Sequence, residues 1–151
     1  MSDSDLRPGE VAAPPPDHFD AGLWFIGRLR TPWTDRAQCP KQGDAAEGPA
    51  CRIELDPRWL AAVQGLAVGQ RLQCLYWMDR ARRDLVLQNP RRDGALVGTF
   101  ALRSPVRPNP VASSSVTLLG IDGAVLHVRG LDCLDGTPLI DLKPDPSCPL
   151  S

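Results

Sequence analysis

Residues 100–110 read FALRSPVRPNP, and this proline-rich stretch decides how the chain can fold. An apolar run over residues 95–102, which we expect to be extended, leads into it. Its three prolines each lack an N–H, fix φ and move the preceding residue out of the helical region. We therefore expect a stiff, extended loop that carries Arg103 and Arg107.

The two arginines of this loop have two interpretations. A stiff loop holds cationic side chains at little entropic cost on binding, and the planar guanidinium suits bidentate contact with carboxylate or phosphate. Arg103 and Arg107 are then ligand-binding residues. A rigid turn with solvated arginines is the other interpretation, and composition alone leaves both open.

Outward from this loop, short apolar runs alternate with turn residues, which is the pattern of β-strands. The run over residues 72–78 is too apolar for a strand with one wet face. The predicted strands cover residues 23–29, 51–55, 72–78, 85–87, 116–121, 124–129 and 139–142.

Turn and cap residues complete the predicted fold. The Asp-Gly pairs that begin at Asp93, Asp122 and Asp135 each lie between apolar runs and predict hairpins. One helix is expected through residues 59–63, with Asp56 as its N-cap and a proline next. The whole pattern predicts an all-β, mainly antiparallel fold, a closed or nearly closed β-barrel with one short helix.

Length and composition indicate one domain with tails in 151 residues. We expect a disordered or loosely attached arm over 1–20, a barrel domain over 21–145 and a C-terminal tail over 146–151. No apolar run reaches the roughly 20 residues that a bilayer requires, and no basic-then-apolar signal begins the chain. We therefore expect a cytoplasmic protein without a membrane segment.

Charge is distributed unevenly along the chain. The net charge is −1, but residues 71–107 hold eight arginines against three aspartates. A basic patch on a nearly neutral protein suits one specific anionic partner. Arginines scattered over the barrel surface are the alternative interpretation.

Several classes of site are excluded by the residues. The five cysteines form no C-x-x-C pair, which argues for reduced thiols and against a zinc site or a disulfide framework. The histidines, His18 and His127, cannot form a metal cluster, and His127 fits an outward strand position. There is no glycine-rich dinucleotide motif and no G-x-S-x-G elbow. The charged loops that remain would suit S-adenosylmethionine, a ligand with a zwitterionic end, a cationic centre and a base.

Two motifs together resemble a known family. FALRSPVRPNP and GLDCLDGTPLIDLKP, residues 130–144, are similar to the TsaA-like (TrmO- or YaeB-like) family of β-barrel, S-adenosylmethionine-dependent tRNA methyltransferases. The similarity begins at residues 26–33 and includes 39–42 and 75–78. The chain resembles a short form of this family that lacks the C-terminal domain.

The resemblance implies a homodimer that binds S-adenosyl-L-methionine in the barrel, near the subunit interface. Asp135 has a second interpretation as an ordinary turn residue before glycine. The cofactor contacts implied by the family's motifs fall on Pro40, Lys41, Gln42, Asp79, Arg80, Arg103, Ser113, Asp132, Cys133, Leu134 and Asp135.

The family's acceptor implies methyl transfer to the N6 position of threonylcarbamoyladenosine at tRNA position 37. For the tRNA we expect contacts from Arg91, Arg92, Arg107 and Asn109, and the sequence does not identify a catalytic base. Two alternatives stay open: a methyltransferase of the same fold with another acceptor, and a non-enzymatic module that binds a nucleotide or RNA.

Overall fold

The computed structural model describes residues 5–148, which form two compact units. The barrel unit comprises Leu23–Trp77 and residues 113–148, and the small unit comprises residues 5–22 and Met78–Ala112. The domain bounds expected from the sequence stay predictions. Residues 1–4 of the expected arm and 149–151 of the expected tail lie outside the described residues.

Nine strands are described, six of which close a barrel in the order β2-β3-β8-β7-β4-β9. The pairs β2–β3, β2–β9, β3–β8, β4–β9 and β7–β8 are antiparallel, which confirms the predicted fold class. The strands are β1 (Val11–Ala12), β2 (Gly27–Arg30), β3 (Ala50–Leu55), β4 (Arg71–Trp77), β5 (Leu85–Gln88), β6 (Val97–Gly98), β7 (Val111–Asp122), β8 (Val125–Arg129) and β9 (Thr137–Pro144).

The barrel interior is filled by alternate residues of these strands. Leu29, Ile53, Leu118 and Leu126 are fully buried there. Each buried aliphatic side chain of this size contributes about 1.5–3 kcal/mol to folding. β4 also alternates, with every second residue buried and the others half-buried. Its outer face is therefore more accessible than the apolar sequence of residues 72–78 predicts.

Two of the three Asp-Gly pairs lie in hairpins, as predicted. Asp122 is paired with Val125 across the β7–β8 turn, where Gly123 has a φ of 58°. Asp93 lies in the longer connection between the antiparallel strands β5 and β6. The hairpin prediction at Asp135 is wrong, because the following strand, β9, pairs with β2 and β4 and not with β8.

The predicted helix forms as a 3-10 helix, Pro57–Val63. Asp56 caps it as expected, and its carboxylate accepts the N–H of Arg58 at 3.1 Å. None of the helix residues is buried. A helix this short gains little from α-helical hydrogen bonds unless tertiary packing supports it, so the tighter 3-10 form is consistent with its exposure.

The small unit is built on a three-stranded sheet in the order β1-β5-β6. The side chain of the fully buried Asn89 donates to Pro8 O at 3.1 Å, and its backbone N–H donates to Glu10 Oε2 at 2.8 Å. Residues 8–13 therefore have hydrogen-bonded partners within the small unit. Two strand residues are too few to show a periodic pattern in the sequence.

The proline-rich loop begins differently from the prediction. β6 ends at Gly98 and a 3-10 turn follows at Thr99–Ala101, so residues 95–102 are not extended throughout. The buried Thr99 hydroxyl donates to Leu85 O at 2.7 Å and accepts from Gln88 Nε2 at 3.0 Å. Gln88 Nε2 also donates to Val106 O at 2.7 Å. These bonds fix the beginning and the middle of the loop against β5.

Candidate functional site

The centre of the candidate site is a group of three oxygen-bearing side chains in the barrel unit. Tyr76 Oη lies 2.7 Å from Asp132 Oδ1 and 2.7 Å from Ser114 Oγ. Ser114 Oγ lies 3.3 Å from the same carboxylate oxygen. Tyr76 and Ser114 are buried in β4 and β7, whereas Asp132 is half-buried in the connection from β8 to β9.

Burial and the nearby Asp132 carboxylate raise the pKa of Tyr76 far above its ordinary value. The hydroxyl therefore keeps its proton and donates a hydrogen bond to the carboxylate. Oδ1 accepts all the hydrogen bonds that Asp132 receives from the described residues, whereas Oδ2 receives none from them. A half-buried carboxylate with one oxygen held and the other open is suited to accept an N–H or O–H donor from a ligand.

A close backbone approach places the loop that carries residues 40–42 beside the segment that leads to Asp132. A Cβ at Gly43 would overlap the carbonyl oxygen of Gly130, so only glycine fits there. Gly130 itself has a φ of 124°, which also favours glycine. The Thr117 hydroxyl donates to Ala45 O at 2.8 Å and holds the same loop on β7.

The thiol of Cys39, which precedes this tripeptide, is within electrostatic reach of Asp132. Burial raises the pKa of Cys39, Arg36 lowers it, and the charge of Asp132 raises it further. The structure therefore places the two residues that flank 40–42, Cys39 and Gly43, near Asp132 and Gly130 respectively. The side chains of Pro40, Lys41 and Gln42 are exposed.

Asp135 already has partners within the barrel unit. Its Oδ1 accepts the N–H of Thr31 at 3.1 Å, and its own N–H donates to Trp33 O at 2.7 Å. Oδ2 lies 3.9 Å from Arg30 Nη1. These contacts support the interpretation of Asp135 as a turn residue that holds the end of β2.

Cys133 and Leu134, which lie between Asp132 and Asp135, both accept hydrogen bonds through their backbone carbonyls. Burial raises the pKa of the Cys133 thiol to about 12, so it is not a nucleophile near neutral pH. Its carbonyl accepts the Thr31 hydroxyl at 2.8 Å. Leu134 is half-buried, and its carbonyl accepts the Thr137 hydroxyl at 2.6 Å.

Sequence reasoning identified Ser113 but missed its neighbour. Ser113 Oγ accepts from Gln73 Nε2 at 3.0 Å and is half-buried, whereas Ser114 belongs to the buried group. Successive residues of a strand face opposite sides, so the alternation of β7 separates the two serines. Tyr76 was also missed, although a single tyrosine within an apolar strand signals a buried hydroxyl that needs a partner.

The remaining predicted residues lie in the small unit, and two of them already have internal partners. Arg107 Nη1 donates to Leu102 O at 2.8 Å and to Ser104 O at 3.0 Å. Asn109 Oδ1 accepts from Arg83 at 3.2 Å. Both side chains therefore support the proline-rich loop. The exposed members of the predicted set in this unit are Asp79, Arg80, Arg91, Arg92, Arg103 and Asn109.

Other kinds of site find no support in the described part of the chain. Among residues 5–148, no three His, Cys, Asp or Glu side chains are grouped so that they could hold a metal ion. Within the same residues, no helix combines the length and apolar character needed to cross a bilayer. All five cysteines are free thiols in this structure.

Comparisons with known proteins identify relatives of this chain. A probable S-adenosyl-L-methionine-binding protein, VirR of Rhizobium radiobacter, is 47% identical over 97% of this chain and 83% of its own length. A putative S-adenosylmethionine-dependent methyltransferase, RcsF of Pseudomonas aeruginosa, is 33% identical over 79% of this chain and 54% of its own length.

A solved structure is also similar. The crystal structure of TrmO from Pseudomonas aeruginosa matches with a TM-score of 0.68 and 28% identity, over 84% of this chain and 56% of that one. This chain thus spans little more than half of TrmO. The family profile described as the tRNA-methyltransferase O N-terminal domain matches residues 28–146. With the fold, the motifs and these relatives in agreement, the chain belongs to the family of the TrmO N-terminal domain.

Proposed function

We propose that this protein is an S-adenosylmethionine-dependent methyltransferase whose barrel unit holds the cofactor at Asp132. The observation that carries the proposal is the half-buried carboxylate whose Oδ1 accepts from Tyr76, while its Oδ2 accepts no hydrogen bond from residues 5–148. The names of VirR and RcsF, a binding protein and a putative methyltransferase for this cofactor, support it.

The hydrogen-bond acceptor at Asp132 fits the cofactor. Its ammonium and ribose hydroxyls are hydrogen-bond donors, and its sulfonium prefers electron-rich neighbours, so an acceptor-only carboxylate suits it. The exposed backbone and side chains of residues 40–42 lie in the loop that the Gly43–Gly130 approach places beside this carboxylate. This proposal includes the other cofactor contacts that the resemblance implies. They fall on Pro40, Lys41, Gln42, Ser113, Cys133, Leu134 and Asp135, and in the small unit on Asp79, Arg80 and Arg103.

When bound, the cofactor would supply a methyl group for displacement from its sulfonium to a nitrogen, which would leave a thioether and release one proton from the nitrogen to solvent. The residues of the chain contribute by binding and orientation. Tyr76, with its raised pKa, does not act as a base, and the buried thiol of Cys133 does not act as a nucleophile.

For the acceptor, we propose the N6 position of threonylcarbamoyladenosine at position 37 of tRNA. The exposed arginines Arg91 and Arg92 lie in the β5–β6 connection of the small unit and suit a phosphate backbone. Phe100 in the same unit has 83% of its surface exposed, and an exposed aromatic ring can stack on an unpaired base. Arg107 and Asn109, expected to contact tRNA, would act here by keeping this loop rigid.

A two-part experiment tests this proposal. Calorimetry measures S-adenosylmethionine binding by the wild type and by Asp132→Asn, whose amide presents a donor in place of the open acceptor. We expect the substitution to weaken binding about tenfold or more. Mass spectrometry of tRNA nucleosides, after incubation with protein and cofactor at low salt, then reports the methylated base. A wild type that does not bind the cofactor contradicts the proposal.

A second candidate is a methyltransferase of the same fold that acts on a small molecule. The chain spans 56% of the TrmO chain that it matches, so the acceptor of that whole protein is carried to this chain only as a proposal. Cofactor binding without label transfer to total tRNA would favour this candidate. Cofactor-independent binding of RNA would instead favour a non-enzymatic module.

We further propose that the protein is cytoplasmic, where tRNA is modified, and that it works as a homodimer. Apolar surface on the barrel unit supports self-association: Trp24 has 79% of its surface exposed, and its ring lies 6.2 Å from that of Trp59. Light scattering at micromolar concentration should give the mass of two chains. An active monomer at that concentration would contradict the dimer.

A further inference from the structure

We infer that Tyr76 and Ser114 are positioning residues, which hold the Asp132 carboxylate in the orientation that receives the cofactor. This inference rests on the proposed function of Asp132. Neither residue belongs to the set implied by the family's motifs.

The number of hydroxyl protons in this group fixes the direction of its hydrogen bonds. Tyr76 and Ser114 have one hydroxyl proton each, and the Asp132 carboxylate has none. Tyr76 donates to Oδ1 at 2.7 Å, and Ser114 donates either to Tyr76 at 2.7 Å or to Oδ1 at 3.3 Å. In both arrangements the hydrogen bonds end on Oδ1, so Oδ2 is the acceptor that remains for a ligand.

The donors are fixed as well as directed. Tyr76 is only 3% exposed and its ring is packed within the barrel, so its hydroxyl cannot turn toward solvent. Ser114 is 9% exposed on the adjacent strand β7. Preorganised contacts of this kind increase affinity because the ordering cost is met during folding and not on binding.

The arrangement also selects the ligand. Because both hydroxyl protons are used in hydrogen bonds within the group, the group offers a ligand no free donor. It therefore favours a cationic or hydroxyl-bearing part of the cofactor and disfavours an anionic part. The single tyrosine of the chain thus acts on specificity through Asp132, without contacting the cofactor.

A double-mutant cycle tests this role, with S-adenosylmethionine affinity measured by calorimetry. The variants are Tyr76→Phe, Asp132→Ala and the double substitution. Tyr76→Phe keeps the buried ring and removes one hydroxyl, and we expect about tenfold weaker binding. In the Asp132→Ala background the same change should alter affinity less than about twofold, because the group through which it acts is absent.

Ser114→Ala provides a second variant, with Ser115→Ala as its matched control on the opposite face of β7. Ser115 contacts Asp145 and Arg71, away from the Tyr76 group. We expect weaker cofactor binding for Ser114→Ala and unchanged binding for Ser115→Ala. Equal effects of Tyr76→Phe in both backgrounds, or none in the wild type, would overturn the inference and leave the proposed function intact. A wild type without cofactor affinity would instead overturn the proposed function and the inference with it.

Discussion

Gly43 packs so tightly against Gly130 that the carbonyl oxygen of Gly130 occupies the space where a Cβ of residue 43 would lie. The two glycines join the loop of residues 39–45 to the segment that leads to Asp132. The position of the Pro40-Lys41-Gln42 tripeptide thus depends on the lack of a side chain at Gly43. The contact is made by backbone atoms of Gly43 and Gly130, which cannot rotate away as side-chain atoms can.

We expect Gly43→Ala to destabilise the protein by about 1–3 kcal/mol, because the added methyl group forces the two backbones apart. Denaturant unfolding measures this change, and calorimetry should show weaker cofactor binding. Gly120→Ala in β7 is the matched control, since its added Cβ would have its nearest neighbour, His127, at 3.7 Å. Equal losses in the two variants would show that the close approach is unimportant.

The carboxyl group of Asp145 should titrate at low pH. Hydrogen bonds from the Ser115 side chain and from Ser147 lower the pKa of Asp145 to about 2, from an ordinary 3.8. Because the folded pKa is the lower one, these bonds stabilise the fold above pH 3.8, and their contribution is lost as the pH falls toward 2. Carboxyl-carbon NMR measures the midpoint, and Ser115→Ala should move it upward. An unchanged midpoint in that variant would exclude Ser115 as the cause.

The five thiols should react in an order set by burial. Cys148 is exposed and should be modified first by a thiol reagent, followed by the half-buried Cys39. The buried cysteines of the barrel should react only on unfolding, because burial raises the pKa of Cys51, Cys74 and Cys133. Peptide mass spectrometry after timed labelling identifies each site. Early labelling of Cys133 in the native protein would contradict the packing described here.

Glu10 should contribute to the stability of the small unit. Its carboxylate accepts the N–H of Asn89 at 2.8 Å and that of Arg7 at 2.9 Å, and hydrogen bonds to charged acceptors are worth about 1.5–3 kcal/mol. We expect Glu10→Ala to lower the free energy of unfolding by about 1–2 kcal/mol and to speed hydrogen exchange at the Asn89 amide. Asp17→Ala, at an exposed position, should change neither measurement.

The strands of the barrel were predictable because each is indicated by a pattern of adjacent residues in the sequence. Alternating strands, the Asp122 turn and the Asp56 cap each follow from a few adjacent residues. The two-residue strand β1 was not predictable, since its pairing with β5 rests on partners more than seventy residues away. The 3-10 form of Pro57–Val63 was also missed, because the cap residues are the same for both kinds of helix.

The candidate site was predictable only in part for the same reason. The motifs marked Asp132, but the hydroxyl that holds it comes from Tyr76, which is 56 residues earlier in the chain. Asp135 was marked by the same motif, and the structure gives it contacts that hold the end of β2. The motif marks Asp132 and Asp135 alike. Only their hydrogen bonds show which of the two carboxylates has an oxygen available to a ligand.

The pairing of β9 on both of its sides has a consequence during synthesis on the ribosome. β9 emerges after both β2 and β4, and it supplies pairing partners for each of them. Until it leaves the exit tunnel, those two strands expose unpaired N–H and C=O groups, which are templates for pairing with another chain. Closure then joins segments more than a hundred residues apart, as in Gly27 with Leu139, which makes it a slow step. Pairing of β9 therefore covers two open strand edges in one step.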